Sequence, residues 1–217
     1  MYTTNIISQL VEALSKPLPG AKAHNKMSPI ANLSRYSKLS KNYKVASVLA
    51  LVHTKGDHLY LTFIERASVH KGDKHAGQIG FPGGKYEIDD IDYLQCALRE
   101  TFEEIGIDKN KIQILGNLTP IYVFASDFLV HPFIGYTTQN PQYLLQESEV
   151  ASVIEIKLSE LFAPENKTNS EVVLGKGIAK NVVGYKLKNH FLWGATAMMT
   201  SEIEFVFNDI LNKMNKL

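Results

Sequence analysis

The chain has 217 residues and a formal net charge of +1, with 45% hydrophobic and 21% charged residues. This composition is ordinary for a globular protein, and the length allows one domain with a substantial core. The near-neutral charge gives no indication of binding to nucleic acid or to a membrane surface, which usually requires a basic chain.

Cysteine usage and the amino end indicate the compartment. Cys96 is the single cysteine, which excludes an intramolecular disulfide and fits a reducing environment. Its place inside a predicted helix indicates packing rather than nucleophilic chemistry. No basic segment precedes an apolar one at the amino end, and the apolar run at residues 45–52 is too short to span a bilayer. We therefore predict a cytoplasmic protein.

Hydrophobic periodicity and turn residues predict the elements of the first half of the chain. In chain order they are a helix at residues 4–15 capped by Thr3 or Thr4, a polar extended arm up to residue 43, strands at 44–53 and 58–65 around a turn at 55–57, and a short strand at 78–81.

The second half is predicted to contain further strands and a closing helix. Its elements are a helix between Asp90 and Gly106, strands at 112–118 and 128–136 around a loop with Pro120, Tyr122 and Ser126, a strand at 150–156, a helical turn at 159–162, an exposed loop at 164–170, weak strands within 172–188, and a helix at 195–214. Hairpins mixed with a few helices predict an α/β fold with a mixed sheet covered by helices.

The helix between Asp90 and Gly106 has marked ends. Asp90 is a good N-cap, Asp92 adds negative charge to the first turn, and Gly106 stands where helices end in the left-handed conformation. Apolar residues recur at helical spacing and give one stripe for packing, formed by Leu94, Ala97, Leu98, Thr101 and Ile105.

Three carboxylates share another face of this helix. Glu100, Glu103 and Glu104 are neighbours because residues three and four apart lie side by side on a helix. Their mutual repulsion would be relieved by a bound hard cation such as Mg²⁺, which prefers oxygen ligands. The pattern therefore makes these glutamates candidate metal ligands.

Together with the glycines upstream, this segment resembles the Nudix box, the signature of hydrolases that cleave nucleoside diphosphates linked to another group. The box would run from Gly84 to Ile107, and its second half contains Arg99-Glu100, Glu103-Glu104 and Gly106. Three positions depart from the common pattern: Asp90 stands in place of Glu, one additional residue precedes Arg99, and Thr101 fills an apolar position.

The flanks resemble the coenzyme A pyrophosphatase branch of the Nudix family. The sequence KHAGQIGFPGGK at residues 74–85 is similar to the extended signature of that branch, and Arg66 matches its first arginine. Asp73 falls where a second arginine is expected. The segments at residues 26–29, 126–133 and 193–197 also fit, so the resemblance covers most of the chain from about residue 18.

The resemblance implies an α/β/α sandwich and one Nudix hydrolase domain over residues 1–217, with a helix and arm at 1–43 and the box at 84–107. It implies hydrolysis of coenzyme A to 3′,5′-ADP and 4′-phosphopantetheine with Mg²⁺ or Mn²⁺. The expected partner is a small nucleotide, and the resemblance alone suggests a homodimer.

Site residues follow from the match to the box. Glu100, Glu103, Glu104 and the carbonyl of Gly84 are the predicted metal ligands, and Arg99 is predicted to orient a carboxylate through a forked hydrogen bond. Glu149 is a candidate further ligand or base.

A cationic stretch upstream of the box is predicted to bind the substrate phosphates. Arg66, Lys74, His75 and Lys85 are the predicted substrate-binding residues, although charged runs are often simply solvated surface.

Two other readings stay open. The chain could act on ADP-ribose, a nucleotide sugar or a dinucleoside polyphosphate, because Pro120 and Tyr122 lie near a position that is diagnostic in such groups. It could instead be a catalytically silent module that binds a nucleotide, although the acidic residues of the box are present.

Overall fold

A computed structural model of the protein describes residues 2–29, 40–68, 77–138, 140–174 and 178–214. Its helices are α1 (Tyr2–Leu14), α2 (Ala21–His24), α3 (Tyr93–Ile105), α4 (Leu158–Leu161) and α5 (Gly194–Met214). Its strands are β1 (Lys44–Lys55), β2 (His58–Arg66), β3 (Ile79–Gly80), β4 (Gly83–Lys85), β5 (Gln113–Asn117), β6 (Ile121–Val123), β7 (Phe128–Thr137), β8 (Val150–Lys157), β9 (Lys167–Leu174), β10 (Ile178–Leu187) and β11 (His190–Leu192).

The central sheet is mixed, and β1 is its middle strand. One edge of β1 runs parallel to β7, and its other edge pairs antiparallel with β4 and then with β2. β8 and β3 add to β2, while β5 and β6 add to β7. A separate antiparallel sheet has the order β11-β10-β9.

Alternation along β1 explains the layers. Leu49 and Leu51 pack in a cluster with α3, whereas Ala50 and Val52 belong to a cluster with α1, α5 and the small sheet. Successive strand side chains point to opposite faces, so a strand buried on both faces is apolar throughout. The predicted mixed sheet covered by helices is therefore confirmed.

The amino-terminal segment is fastened to α5 by a buried carboxylate. Glu202 accepts hydrogen bonds from the backbone N–H groups of Gly20 and Thr119, both at 2.8 Å, and from the Thr119 hydroxyl at 2.8 Å. Its other contact is His24 Nε2 at 3.3 Å. Part of the predicted arm is thus a short helix, α2, while residues 30–39 lie outside the described residues.

Several predicted boundaries and elements were wrong. α1 begins at Tyr2, so Thr3 and Thr4 lie within the helix and do not cap it. The loop predicted before β7 contains β6, which hydrogen-bonds to β7. Most of the loop predicted at residues 164–170 is strand β9, held by pairing with β10. The glycine turn of the box forms β4, and β11 was not predicted.

None of the helices in the described ranges has both the length and the hydropathy needed to cross a bilayer.

Candidate active site

Helix α3 carries the acidic residues, and its ends are fixed locally. Asp92, not Asp90, is the N-cap, because its side chain accepts a hydrogen bond from the backbone N–H of Gln95 at 2.7 Å. Gly106 ends the helix with φ of 72°, as predicted. The predicted stripe packs on the sheet, with Ala97, Thr101 and Ile105 fully buried.

Asp90 does not cap the helix but forms a salt bridge with Arg99. The guanidinium donates from Nε and Nη2 to the two carboxylate oxygens of Asp90, each at 2.9 Å. These hydrogen bonds from Arg99 hold the pKa of the Asp90 carboxyl at about 2. Asp90 also accepts from the backbone N–H of Glu87 at 2.8 Å, which ties the loop before α3 to its own helix.

Arg99 also binds two glutamates of the helix face. Its Nη1 donates to Glu100 Oε1 and to Glu103 Oε2, both at 3.0 Å. The predicted forked bond of Arg99 therefore goes to Asp90, and single bonds go to the glutamates. The Glu103 side chain is 53% exposed, whereas that of Glu100 is 14% exposed.

Glu100 lies directly against Gly84 of β4. An ideal Cβ at residue 84 would be 2.4 Å from Oε2 and 2.6 Å from Oε1 of Glu100. Only a residue without a side chain leaves room for the carboxylate there. Burial is the main cause of a raised pKa of Glu100, and Arg99 opposes that rise.

Glu104 is the most buried of the three glutamates, with 1% of its surface exposed. Its Oε2 accepts a hydrogen bond from the backbone N–H of Gly83 at 2.8 Å, and its Oε1 lies 3.9 Å from Nη1 of Arg66. Burial raises the pKa of Glu104 to about 8, against the opposing effects of the Gly83 N–H and Arg66. A buried carboxylate without a strong counter-ion is a frequent feature of functional sites.

Glu149 approaches the same pair from the turn before β8. It is exposed, and its backbone carbonyl accepts from the N–H of Ala67, the residue that follows β2. After the larger contribution of burial, its negative charge helps to raise the pKa of both Glu100 and Glu104. The structure therefore brings this predicted residue close to the box.

An open cavity of about 420 Å³ borders the glycines that Glu100 and Glu104 contact. Arg66, Gly83 and the box residues Gly84 and Lys85 line one part of it, and side chains that are mostly apolar, among them those of β1, β7 and α5, line the rest. A larger cavity of about 570 Å³ lies near Phe162 and has none of these lining residues.

The predicted cationic cluster is described only in part. Arg66 and Lys85 line the cavity, while Lys74 and His75 lie outside the described residues. Cys96 is buried, and burial raises the pKa of its thiol to about 12, which fits the predicted packing role.

Two features of the site were not predicted from the sequence. One is the pairing of Asp90 with Arg99, and the other is the set of polar residues that line the cavity from segments outside the box. Asp90 stands where the box pattern has an acidic residue, and nine positions later comes Arg99, so the pairing had a signal. Gln78, Ser126 and Thr196 line the cavity from three separate segments. No spacing within the sequence links those segments.

The residue types fit a divalent cation, but their orientations do not form a closed site. Within the described ranges, no three His, Cys, Asp or Glu side chains are grouped closely enough to hold a metal ion. The reason is that Arg99 binds Glu100 and Glu103, while Glu104 faces Gly83. The half-buried Glu100 and the buried Glu104, both with raised pKa values, are nevertheless oxygen donors that a hard cation would stabilise in the charged form.

Comparison with known proteins identifies the family to which the chain belongs. The family model of the NUDIX domain matches residues 43–174, which is more than half of the chain. The chain therefore belongs to the Nudix family.

The similar proteins include curated relatives and solved structures. Two proteins named "Uncharacterized Nudix hydrolase NudL", from Yersinia pestis (strain Pestoides F) and Yersinia pseudotuberculosis serotype O:1b (strain IP 31758), are 36% identical over 124 residues. The match covers 57% of this chain and 61% of each relative, so less than two thirds of their length is spanned.

Among solved structures, a MutT/nudix family protein from Enterococcus faecalis aligns with a TM-score of 0.51 at 16% identity. The alignment covers 92% of this chain and 77% of that one. At this level of identity, the likeness concerns the fold.

Proposed function

We propose that this chain is a metal-dependent pyrophosphohydrolase that cleaves the diphosphate of coenzyme A or its derivatives. The products are 3′,5′-ADP and 4′-phosphopantetheine or its acylated form. The observation that carries the proposal is the position of two carboxylates, the half-buried Glu100 and the buried Glu104, against Gly84 and Gly83, two glycines that line an open cavity. We also propose that residues 1–217 work as one Nudix domain.

The acidic residues of the box would hold the cation. Glu100, Glu103, Glu104 and the Gly84 carbonyl are the proposed ligands of Mg²⁺ or Mn²⁺, and Arg99 is the proposed positioning residue for Glu100. When bound, such a cation neutralises charge on diphosphate oxygens and increases the acidity of water. Two of these carboxylates, Glu100 and Glu104, are already largely desolvated and therefore costly to ionise without a cation.

The cationic side chains would receive the phosphates. Arg66 lies at the end of β2, 3.9 Å from the Glu104 carboxylate, and 42% of its side chain is exposed. A partly exposed guanidinium at the rim of a cavity is suited to bind phosphate oxygens in a bidentate manner. Lys85 lines the same cavity, and Lys74 and His75 remain proposed contacts from the neighbouring segment.

A base is needed to accept the proton of the attacking water. We propose Glu149 for this role, because its carboxylate is exposed and its charge acts on Glu100 and Glu104. Glu104 is less suited, since it is a proposed metal ligand and its Oε2 already accepts a hydrogen bond from the backbone N–H of Gly83.

Two observations favour coenzyme A over other nucleotides as the proposed substrate. The first is the resemblance of residues 74–85 and Arg66 to the coenzyme A branch. The second concerns Tyr122, which lies near a position that is diagnostic for the other substrates. Its side chain is only 4% exposed, and its hydroxyl group donates a hydrogen bond to Asp127. A tyrosine engaged in this way is a core residue in the present structure, and this removes one argument for the rival substrates.

Product analysis tests the proposal. The pure protein would be incubated with Mg²⁺ or Mn²⁺ and, in parallel, with coenzyme A, ADP-ribose, NADH or a diadenosine polyphosphate. We expect 3′,5′-ADP and 4′-phosphopantetheine from coenzyme A, and no products after chelation of the metal. Cleavage of another substrate in preference to coenzyme A would overturn the substrate assignment. Absence of all turnover would favour the silent nucleotide-binding module.

A further inference from the structure

A second cavity, of about 230 Å³, opens beside the candidate active site. It shares lining residues with the first cavity, among them Gln78, Ser126 and Thr196, so the two cavities adjoin each other. The backbone carbonyl of Gln78 accepts from the N–H of Arg66 at 3.0 Å, which puts this junction next to the cationic rim. A substrate held at Arg66 can therefore extend into the second cavity.

The described lining of the second cavity carries no charged side chain. Beyond the junction its walls are largely apolar, with Phe124, Ala125, Trp193 and Met198. Arg66 and Lys85 line only the first cavity. A phosphate monoester in the second cavity would lack a counter-ion and lose its hydration, which is costly.

Uncharged polar side chains lie at the junction, which is the part of the lining that the two cavities share. Gln78 has a side-chain amide, and Ser126 and Thr196 have hydroxyl groups, so each can donate and accept hydrogen bonds. From the first cavity to the second, the lining changes from cationic to uncharged polar and then to apolar. A ligand with a phosphate at one end, amides in the middle and an apolar other end would match this order. Few charges and a small number of polar groups are typical of pockets for uncharged ligand parts.

We propose that the second cavity binds the uncharged half of the substrate, the pantetheine arm with its thiol or a short acyl group. This inference rests on the proposed function. It assigns the 3′-phosphorylated nucleoside to the side of Arg66 and Lys85, and the arm to the side of Trp193. Phe124 and Trp193 would contact the arm, and the flexible Met198 would adapt to its end.

Two variants test the inference. Ala125→Trp places a bulky side chain at an exposed position on the rim, and Trp193→Ala removes a wall from a half-buried one. Each should raise the KM for coenzyme A and the inhibition constant of 4′-phosphopantetheine by at least about tenfold, with kcat largely kept. The inhibition constant of 3′,5′-ADP should stay as in the wild type.

A matched control exists in the separate 570 Å³ cavity. Ala163→Trp makes the same exchange there and should leave all these constants unchanged. If Ala125→Trp lowers the melting temperature far more than Ala163→Trp does, Trp193→Ala decides the question. If the inhibition constant of 3′,5′-ADP rises while that of 4′-phosphopantetheine does not, the inference is overturned, because the nucleoside half would then occupy the second cavity. Unchanged constants in both variants would overturn it as well.

The failure of the proposed function gives a different result. If the wild type does not hydrolyse coenzyme A, the proposed reaction is wrong, and binding of 4′-phosphopantetheine alone is followed by ligand-observed NMR. Binding by the wild type that is lost in Ala125→Trp would still support the inference. Absence of binding by the wild type would overturn it.

Discussion

The carboxylate of Glu100 lies in the space that a side chain on residue 84 would fill, because a Cβ on Gly84 would be 2.4 Å from Oε2. The contact joins strand β4 to helix α3 and puts a charged group of the helix directly on the backbone of the strand. A glycine at this position is therefore needed for the arrangement of the site as well as for the turn before it.

Gly84→Ala should move Glu100 without unfolding the protein. The clash involves the end of a side chain that can rotate, whereas a Cβ on Gly83 would be 2.3 Å from the backbone carbonyl of Ser47. We expect turnover of coenzyme A to fall by more than about tenfold, with Gly84→Ala remaining folded and Gly83→Ala losing much of its stability. Steady-state kinetics and melting temperatures would measure the two effects.

Gly80→Ala is the control for this prediction. A Cβ there would have no atom within 4 Å, so the melting temperature should stay close to that of the wild type. Full activity of Gly84→Ala would show that Glu100 is not required at its observed place.

Glu104→Gln should separate activity from stability. Glutamine keeps the acceptor for the Gly83 N–H but removes the ability to ionise from a side chain that is 1% exposed. We expect kcat/KM to fall by more than about a hundredfold, since even groups that only support metal ligands contribute about 10- to 100-fold. The melting temperature of the metal-free variant should equal or exceed that of the wild type, because a buried carboxylate is costly to ionise.

Turnover of Glu104→Gln at the wild-type rate would contradict the metal assignment. A large fall in its melting temperature would instead assign Glu104 a structural role. Circular dichroism and steady-state kinetics on the same preparation distinguish these outcomes.

Added Mg²⁺ or Mn²⁺ should stabilise the folded protein. A ligand at about 100 times its dissociation constant contributes about 2.7 kcal/mol to the free energy of unfolding. For a domain of this size that corresponds to a rise in melting temperature of roughly 5–10 °C. Thermal scans with and without EDTA would measure the shift.

The shift in melting temperature should depend on the carboxylates of the box. It should shrink strongly in Glu100→Gln and persist in Glu165→Gln, since Glu165 lies at the separate large cavity. Equal shifts in the two variants would assign metal binding to some other part of the chain.

Loss of the Asp90–Arg99 pair should change the acid stability of the fold. The pKa of Asp90 falls from an ordinary value of 3.8 to about 2 on folding, mainly through the hydrogen bonds from Arg99. Because the folded state binds fewer protons in this range, the pair contributes stability above about pH 4, and that contribution is lost as the pH falls towards 2. Asp90→Asn should therefore be less stable than the wild type near neutral pH and should lose less stability between pH 4 and 2.

Urea unfolding at a series of pH values measures this difference. Asp89→Asn is the matched control, because Asp89 is the exposed neighbour of Asp90. Parallel stability curves for the wild type and Asp90→Asn would contradict the role given to the pair.

Local signals predicted the box helix well. The Gly106 end and the apolar stripe depend on residues within a few positions of each other, so the sequence contains the information. The choice of N-cap went wrong because two aspartates compete near the helix start. Asp92 caps the helix since Arg99 already engages Asp90, and such a side-chain pairing over two helical turns is not a local preference.

The arrangement of the glutamates was less predictable. Spacing puts Glu100, Glu103 and Glu104 near one another on the helix, but Glu100 and Glu103 bind Arg99, whereas Glu104 accepts a hydrogen bond from Gly83. The first part of strand β9, at residues 167–170, was missed because its sequence lacks alternation, and pairing with β10 determines its structure. The metal, the homodimer and the cytoplasmic location stay predictions.

The parallel pairing of β1 with β7 has a consequence for how the protein is made. Lys44 pairs with Phe128, so the central sheet cannot close until the ribosome has released the chain well beyond residue 137. Loop closure of that length slows folding, and unpaired strand edges are prone to association in the meantime. We therefore expect the pairing of β1 with β7 to be a late step in folding, and slowed translation after β7 should improve the soluble yield.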